Sequence, residues 1–181
     1  MWQALIRLEK AALSEAAVRV AERLSHKDAH TRHAALETLA TLDATALAKH
    51  TDKIVNQLKD MDGGVRKAAL NLIDKLDKDA LASQHLESLS LQLGELHRSG
   101  ARATLLQAFS KFDSAHIAPY TPAMAARLQD NSYGVRQAAA AALSKLVSAT
   151  LAEQDEHIAP HLRDAKVDVR LAALSIHREL D

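Results

Sequence analysis

The chain contains 181 residues, 48% of them hydrophobic but only 3% aromatic, and its 23 basic and 23 acidic side chains give a formal net charge of zero. This balance removes a general electrostatic attraction to nucleic acid or to anionic membranes. The sequence has no cysteine, which excludes disulfides and thiolate catalysis, and no apolar run of transmembrane length. Because residues 1–10 do not resemble a signal peptide, we expect a location inside the cell, in the cytoplasm.

An arginine followed by small and apolar residues recurs along the chain at intervals of 34, 36, 34 and 34 residues. The second occurrence reads Val65-Arg66-Lys67-Ala68-Ala69. Self-similarity at this period marks supersecondary units that bury their apolar faces by stacking on their neighbours. The five arginines are Arg32, Arg66, Arg102, Arg136 and Arg170.

Each unit contains two predicted helices joined by a short polar turn. Residues such as Ile54 and Leu58 continue an apolar pattern at helical spacing before the turn and predict the first helix. A similar pattern after the arginine, as at Leu70, Ile73 and Leu76, predicts the second helix. In chain order we expect one array over residues 1–181, with a partial second helix at 1–9 and repeats at 10–42, 43–76, 77–112, 113–146 and 147–181.

The turns carry a second signature, because an aspartate stands six residues before the arginine in three of the repeats. This pattern resembles HEAT repeats over essentially the whole chain. The resemblance implies an all-α fold, a right-handed α-solenoid of about five helix pairs preceded by a partial helix. It also implies that these side chains are structural and link the inter-helix turns of adjacent repeats. The structural positions are Arg32, Asp60, Arg66, Arg102, Asp130, Arg136, Asp164 and Arg170.

Two turns depart from the HEAT pattern. The first has His26 where the aspartate belongs, with Asp28 close by. The third has Glu95 and then one extra loop residue before Arg102. We expect these two turns to pack less regularly than the others, which makes them places to look for a functional surface.

Histidines are the residues that raise the question of a metal site, since the chain has ten of them. His26, His30 and His33 surround the first turn, and His157 and His161 are one helical turn apart. A zinc site needs three or four ligands, and neither group is completed by a cysteine or by a carboxylate at a characteristic spacing. No glycine-rich phosphate loop or Ser-His-Asp arrangement is present either. We therefore expect no metal, no cofactor and no catalytic residue.

A lysine stands nine residues after the arginine in three repeats, in register on successive second helices, at Lys75, Lys111 and Lys145. Second helices usually line the concave face of HEAT arrays, so the lysines would form a basic stripe suited to an acidic peptide or helix. The alternative is that lysines near a helix C-terminus complement the helix dipole and keep the surface soluble. The predicted partner-binding residues are Lys67, Asn71, Lys75, Gln107, Lys111, Gln137 and Lys145.

Several other functions remain open from the sequence. Arrays that resemble tubulin-binding HEAT domains use the inter-helix turns and an exposed tryptophan in the first turn, whereas the single tryptophan here is Trp2. The turns do offer Arg98, Tyr133 and Lys166. HEAT-like folds also occur in bilin lyases, for which this chain shows no discriminating motif. In alkylpurine DNA glycosylases they carry a basic groove with aromatic rings, which this chain lacks.

We therefore predict a non-enzymatic scaffold that binds an unidentified protein partner along the concave second-helix face or the inter-helix turns. We expect neither nucleic-acid binding nor membrane insertion. A tubulin-binding module and a HEAT-like enzyme such as a bilin lyase are the alternatives. Neither end carries an obviously polar capping repeat, which is compatible with end-to-end self-association or with a segment of a longer array.

Overall fold

The computed structural model describes residues 15–178, and every regular element within that range is a helix. The predicted all-α class is confirmed for this part of the chain. The predicted partial helix at residues 1–9 and the end of the fifth repeat at 179–181 lie outside the described residues. By its internal packing, the chain divides into two compact units, Met1–Asp77 and Lys78–Asp181.

The first unit contains the helices of the predicted repeats 1 and 2. They are α1 at 15–22, α2 at Ala29–Leu39, α3 at Ala44–Ala48, α4 at Thr51–Asn56 and α5 at Gly63–Ile73, with 3-10 turns at Arg23–Ser25 and Gln57–Lys59. The two second helices, α2 and α5, pack side by side. Helix α5 also packs against α4 and against the 3-10 turn that follows α4, so the two helices of repeat 2 form an antiparallel pair.

The second unit contains the helices of the predicted repeats 3, 4 and 5. They are α6 at Lys78–Glu95, α7 at Ser99–Phe109, α8 at Ser114–Ile117, α9 at Thr121–Ala125, α10 at Tyr133–Leu143, α11 at Ser148–Glu153, α12 at Asp155–Ile158 and α13 at Val167–His177. Further 3-10 turns lie at Ala118–Tyr120, Ala126–Gln129 and Ala159–Arg163. The second helices α7, α10 and α13 stack in chain order, and α6, α9 and α12 stack as a second layer.

The residue three positions after the repeat arginine is buried in every repeat. It is an alanine at Ala35, Ala69, Ala139 and Ala173, and it is the fully buried Leu105 in repeat 3. A methyl group fills little space and so allows neighbouring elements to pack closely. The cores are filled mainly by leucine, isoleucine, valine and alanine, and the second unit also buries the aromatic rings of Phe109 and Phe112.

The first helices of repeats 2, 4 and 5 are interrupted at the same position of the repeat. His50, Tyr120 and Gln154 have φ between −119° and −102° and ψ of 8° or 9°, outside the α-helical region. In repeat 4, Pro119 and Pro122 also remove backbone donors around this point. Helix α6 has no such interruption and runs unbroken over 18 residues. The two extra residues of repeat 3 therefore lie within α6.

Candidate functional site

In three repeats the arginine binds both its own turn and the turn of the following repeat, at Arg32, Arg102 and Arg136. In the first unit, Nε and Nη2 of Arg32 both donate to the carboxylate of Asp60 at 2.7 Å, while Nη1 donates to two carbonyl oxygens of its own turn at 2.8 and 3.0 Å. In the second unit, Arg102 binds Asp130 in the same two-point geometry at 2.8 and 2.9 Å. We call these arginine–aspartate links the arginine ladder. Such bidentate, charge-assisted pairs fix both distance and orientation between adjacent turns.

The ladder carboxylates stay ionised although they are shielded from water. Burial alone would raise the pKa of Asp60 and of Asp130, yet each pKa lies below the ordinary value of 3.8. The hydrogen bonds from Arg32 and Arg102, and those from backbone N–H groups, outweigh the burial because they stabilise the charged form. In return, the hydrogen bond to Asp60 raises the pKa of Arg32.

The last link of the ladder uses an unexpected aspartate. Nε of Arg136 donates to Oδ2 of Asp168 at 2.6 Å, and not to Asp164. Asp164 instead accepts from Nε2 of Gln129 at 3.0 Å, so its side chain joins the same two turns through a different donor. The sequence held a signal for Asp168, because repeats 2, 3 and 4 have a glycine at this position of the repeat, whereas repeat 5 has a carboxylate.

The third repeat differs from its sequence assignment. Nη1 of Arg102 donates to the carbonyl oxygens of Leu96 and His97, which stand six and five residues before it. In the other repeats, Nη1 of the arginine donates to the carbonyl oxygens at the same two spacings, the first of which is the aspartate position. Leu96, and not Glu95, therefore occupies the aspartate position, and the loop has no extra residue. The side chain of Leu96 offers no acceptor. Nε of Arg66 is buried and has no hydrogen-bond partner.

His26 takes over the local task of the missing aspartate in the first turn. Its Nδ1 accepts a hydrogen bond from the N–H of Asp28 at 3.1 Å. Asp60, Asp130 and Asp164 accept from the N–H two residues later at 2.8 to 2.9 Å. The neutral imidazole can thus replace a carboxylate in closing the turn, because one of its nitrogens is an acceptor.

A groove runs between the second helices of the first unit, and we call it the second-helix groove. Its volume is about 270 Å³. Buried Leu36 and the small side chains of Ala40 and Ala68 form its apolar floor. The groove is lined by His33, Leu36, Glu37, Ala40, Gly64, Lys67, Ala68 and Asn71.

The rim of the second-helix groove is polar and mixed in charge. On α2, Nδ1 of His33 lies 3.7 Å from Oε2 of Glu37. On α5, the side chains of Lys67 and Asn71 are exposed. A Cβ atom at Gly64 would stand 3.7 Å from Cδ2 of His33, an ordinary contact, and 3.0 Å from Oδ1 of Asp62, which is tighter than usual.

Known structures show the same architecture, although no family model and no curated protein matches the sequence. Cex1p matches with a TM-score of 0.65 at 17% identity, over 89% of this chain and 35% of that chain. The complex of CpcE and CpcF of phycocyanin lyase from Nostoc sp. PCC7120 matches with a TM-score of 0.59 at 16% identity, over 90% of this chain and 98% of that chain. A designed armadillo repeat protein in complex with the peptide (KR)4 matches with a TM-score of 0.56 at 17% identity, over 90% of this chain and 85% of that chain.

The chain has a HEAT-like helical repeat fold. The predicted HEAT resemblance and the all-α solenoid class are thereby confirmed. At these identities the likeness shows the fold alone. The right-handed sense of a superhelix stays a prediction.

In this HEAT-like fold the three predicted stripe lysines lie one residue beyond the C-caps of their second helices. Nζ of Lys75 donates to the carbonyl oxygen of Ala40, the C-cap of α2. A cation at that point complements the negative end of the helix dipole, as the alternative to a partner-binding stripe predicts. Lys111 is half-buried and Lys145 is exposed.

The remaining predicted partner-binding residues lie in different settings. Lys67 and Asn71 come together in the second-helix groove of the first unit. In the second unit, Gln137 donates to the hydroxyl oxygen of Tyr133 at 2.9 Å, and Gln107 is exposed on α7. The role of all seven residues in partner binding stays a prediction.

The histidines of the HEAT-like fold are separated. His157 lies 3.5 Å from a carboxylate oxygen of Glu156, whereas His161 is 8% exposed and its Nδ1 has no hydrogen-bond partner. Within residues 15–178, no three histidine, aspartate or glutamate side chains converge as a metal ligand set would. None of the helices in that range combines the length and apolar character that crossing a bilayer requires.

The buried histidines predict a fall in stability at mildly acidic pH. Burial lowers the pKa of His50 and of His161 below the ordinary value of 6.5, because the charged imidazolium is poorly solvated there. The unfolded chain therefore binds these protons near pH 6.5 and the folded chain only at lower pH. The contribution of these histidines to the free energy of unfolding should be constant above pH 6.5 and decrease as the pH falls below it. Urea unfolding at several pH values measures this.

The control for this pH dependence is a histidine outside the core. His161→Gln should flatten the decline below pH 6.5, whereas His30→Gln, which changes a fully exposed side chain, should leave it unchanged. An identical pH profile for His161→Gln and the unmodified chain would contradict the assignment.

Proposed function

We propose that this protein is a non-enzymatic scaffold that binds a protein partner, with an extended segment of that partner lying in the second-helix groove of the first unit. The observation that carries the proposal is the pairing of an apolar floor with a rim of donors, acceptors and both charges. Concave sites with this composition use apolar contact for affinity and a few polar groups for orientation. The complex of a designed armadillo repeat protein with a peptide supports the same mode of binding for this architecture.

The chemistry of the rim suits an extended backbone. The side-chain amide of Asn71 both donates and accepts, which matches the N–H and C=O groups that an extended segment leaves unpaired. Lys67 on α5 and Glu37 on α2 carry opposite charges and would orient the charged side chains of the segment. Leu36 at the floor would contact one apolar side chain of the partner.

The groove is small for a complete partner. A volume of about 270 Å³ accommodates only a short stretch of peptide, and the chain is poor in the aromatic residues that dominate tight interfaces. We infer that binding is distributed over many weak contacts along the repeats, as extended repeat surfaces allow. The groove would then supply the register of the partner rather than most of the affinity.

A peptide selection tests this proposal. Random peptides displayed on phage are selected against the immobilised chain, and the affinity of the selected peptides for variants is measured by fluorescence anisotropy. The double variant Lys67→Ala with Asn71→Ala should weaken binding by about tenfold, because two rim contacts are lost from the groove. The fold of each variant is checked by circular dichroism.

The matched control changes the same two residue types on the first helix of the same repeat. Lys53 and Asn56 are exposed on α4, so Lys53→Ala with Asn56→Ala should change the affinity by less than about twofold. Equal effects of the two double variants, or a selection that yields no specific peptide, would reject the groove as the binding site.

The alternative functions have weaker support. The likeness to the CpcE and CpcF complex is at 16% identity and therefore concerns the fold, so it does not extend lyase activity to this chain. For a tubulin-binding module, the turns offer Arg98, Tyr133 and Lys166, all exposed but mixed with acidic neighbours. Neither alternative is favoured by a particular contact in the structure.

A further inference from the structure

A second cavity lies at the turns of repeats 3 and 4, and we call it the turn cleft. It belongs entirely to the second unit and has a volume of about 430 Å³. Its walls are mainly polar and include Gly94, His97, Arg102, Arg127, Asp130 and Asn131. The second-helix groove is formed by residues of the first unit and shares no residue with the turn cleft.

The distinctive residue of the turn cleft is Arg127, a permanent cation that is half-buried without a carboxylate of its own. Its Nη1 donates to the carbonyl oxygen of Leu93 at a long 3.3 Å. Its Nε is buried and has no hydrogen-bond partner. The equivalent positions of repeats 2 and 5 hold Gln57 and His161, which can be buried without a charge. A cation in this position costs free energy unless an anion or hydrogen bonds compensate it.

The neighbouring carboxylate cannot fully compensate Arg127. Both oxygens of Asp130 already accept hydrogen bonds from Arg102, and one also accepts from the N–H of Ser132. Two guanidinium groups and one carboxylate leave the turn cleft with one positive charge before any contribution from His97. A single negative charge would balance it, whereas a dianion would leave the turn cleft with a net negative charge.

The geometry leaves room for such an anion. A Cβ atom at Gly94 would have no other atom within 4 Å, so the wall at this point is open. Arg127 lines the cleft, and Nη1 makes only the one long bond to Leu93. A carboxylate matches an arginine in this position, since its two oxygens can accept N–H bonds from one guanidinium.

We propose that the turn cleft is a binding site for a carboxylate monoanion, held by the guanidinium of Arg127. Arg102 and Asp130 position the cleft walls, and the side-chain amide of Asn131 supplies a further donor at the wall. The carboxylate comes either from a small organic acid or from an acidic residue of a peptide, and both sources share this chemistry.

The experiment is a titration followed by nuclear magnetic resonance on the full-length, 15N-labelled chain. Sodium acetate, the capped tripeptide acetyl-Gly-Asp-Gly-amide and sodium phosphate are added separately at a constant ionic strength set with sodium chloride. We expect saturable shifts of the Arg127 Nε–Hε signal and of the amides of residues 94–97 and 126–131. If acetate binds as tightly as the tripeptide, the ligand is a small organic acid. If the tripeptide binds more tightly, the ligand is an acidic residue of a peptide.

Variants decide whether Arg127 is the ligand-binding group. Arg127→Gln should weaken carboxylate binding by about tenfold or more, and Arg127→Lys should give an intermediate loss because a lysine keeps the charge but not the two-point geometry. Arg163→Gln changes an exposed arginine in the corresponding turn of repeat 5 and should leave the affinity within about twofold. Absence of saturable shifts, stronger binding of phosphate, or unchanged binding by Arg127→Gln would each overturn the proposal.

Discussion

Asp130→Ala is expected to lower the free energy of unfolding by about 3 kcal/mol, as measured by urea unfolding followed by far-ultraviolet circular dichroism. The side chains of Asp130 and Arg102 are only 4% and 13% exposed. Removal of the carboxylate leaves Nε and Nη2 of Arg102 largely buried and without their acceptor. The cost of an uncompensated buried cation exceeds that of an ordinary lost hydrogen bond. The N–H of Ser132 loses its acceptor as well.

The matched control for Asp130→Ala is the same change at the equivalent position of the next repeat. Oδ2 of Asp164 accepts from an exposed glutamine amide and not from the ladder arginine, so Asp164→Ala should cost about 1 kcal/mol. If the two variants are equally stable, the arginine ladder does not stabilise the second unit in the way inferred here. A clearly larger loss of stability for Asp130→Ala than for Asp164→Ala supports a stabilising role of the buried ion pair.

Phe109→Ala is expected to lower the free energy of unfolding by about 3–5 kcal/mol, the largest effect of a single truncation in the second unit. Phe109 is fully buried in α7, and its ring meets that of Tyr120 edge-to-face with centroids 5.8 Å apart. The deletion removes apolar burial, leaves a cavity between the two helix layers and loses the aromatic pair. Urea unfolding and the hydrogen exchange of amides in α7 and α10 measure the loss.

Two further variants separate the cavity from other causes. Phe109→Leu keeps most of the volume and should cost less than about 1.5 kcal/mol. Leu174→Ala truncates a side chain that is 48% exposed on α13 and should change stability by less than about 0.5 kcal/mol. A loss at Phe109→Ala no greater than that at Leu174→Ala would contradict the assignment of Phe109 to the core.

The repeat period predicted the fold correctly, because each repeat in such an array packs only against the repeats next to it. Each helix pair buries an apolar face against the next pair, so the same residue types must return at the same spacing. The arginine shows this directly: Arg32 and Arg102 make the same set of bonds, although they are 70 positions apart. The confirmed all-α, HEAT-like class follows from that regularity.

The third repeat differs from the prediction in where its extra residues lie, because helix α6 ends later than the sequence indicated. Counting residues placed the extra length in the loop after Glu95, whereas the structure contains it in the uninterrupted helix α6. The sequence offers no breaker within α6 comparable to Pro119, but the absence of a breaker alone does not tell how far a helix continues. Leu96 therefore took the position expected for an acidic residue.

The choice between two nearby carboxylates also lay beyond the sequence. Asp164 and Asp168 are four residues apart, and either spacing from Arg136 is compatible with a link between turns. The guanidinium of Arg136 donates to Asp168 in the first turn of α13, while the side-chain amide of Gln129 donates to Asp164. Distances of a few ångströms between side chains on different elements decide such a choice, and residue spacing does not report them.

The sequence by itself determined the helix pairs, the all-α class and the recurrence of the arginine, because these depend on periodicity, turn chemistry and the stacking of like units. The tertiary structure alone decided which polar residues share a surface. It placed Lys67 and Asn71 in a groove, directed Lys75 to the carbonyl of Ala40, and left Nε of Arg127 without a partner beside an open cleft. A surface is formed by side chains from different repeats, and their approach depends on how closely the helices pack.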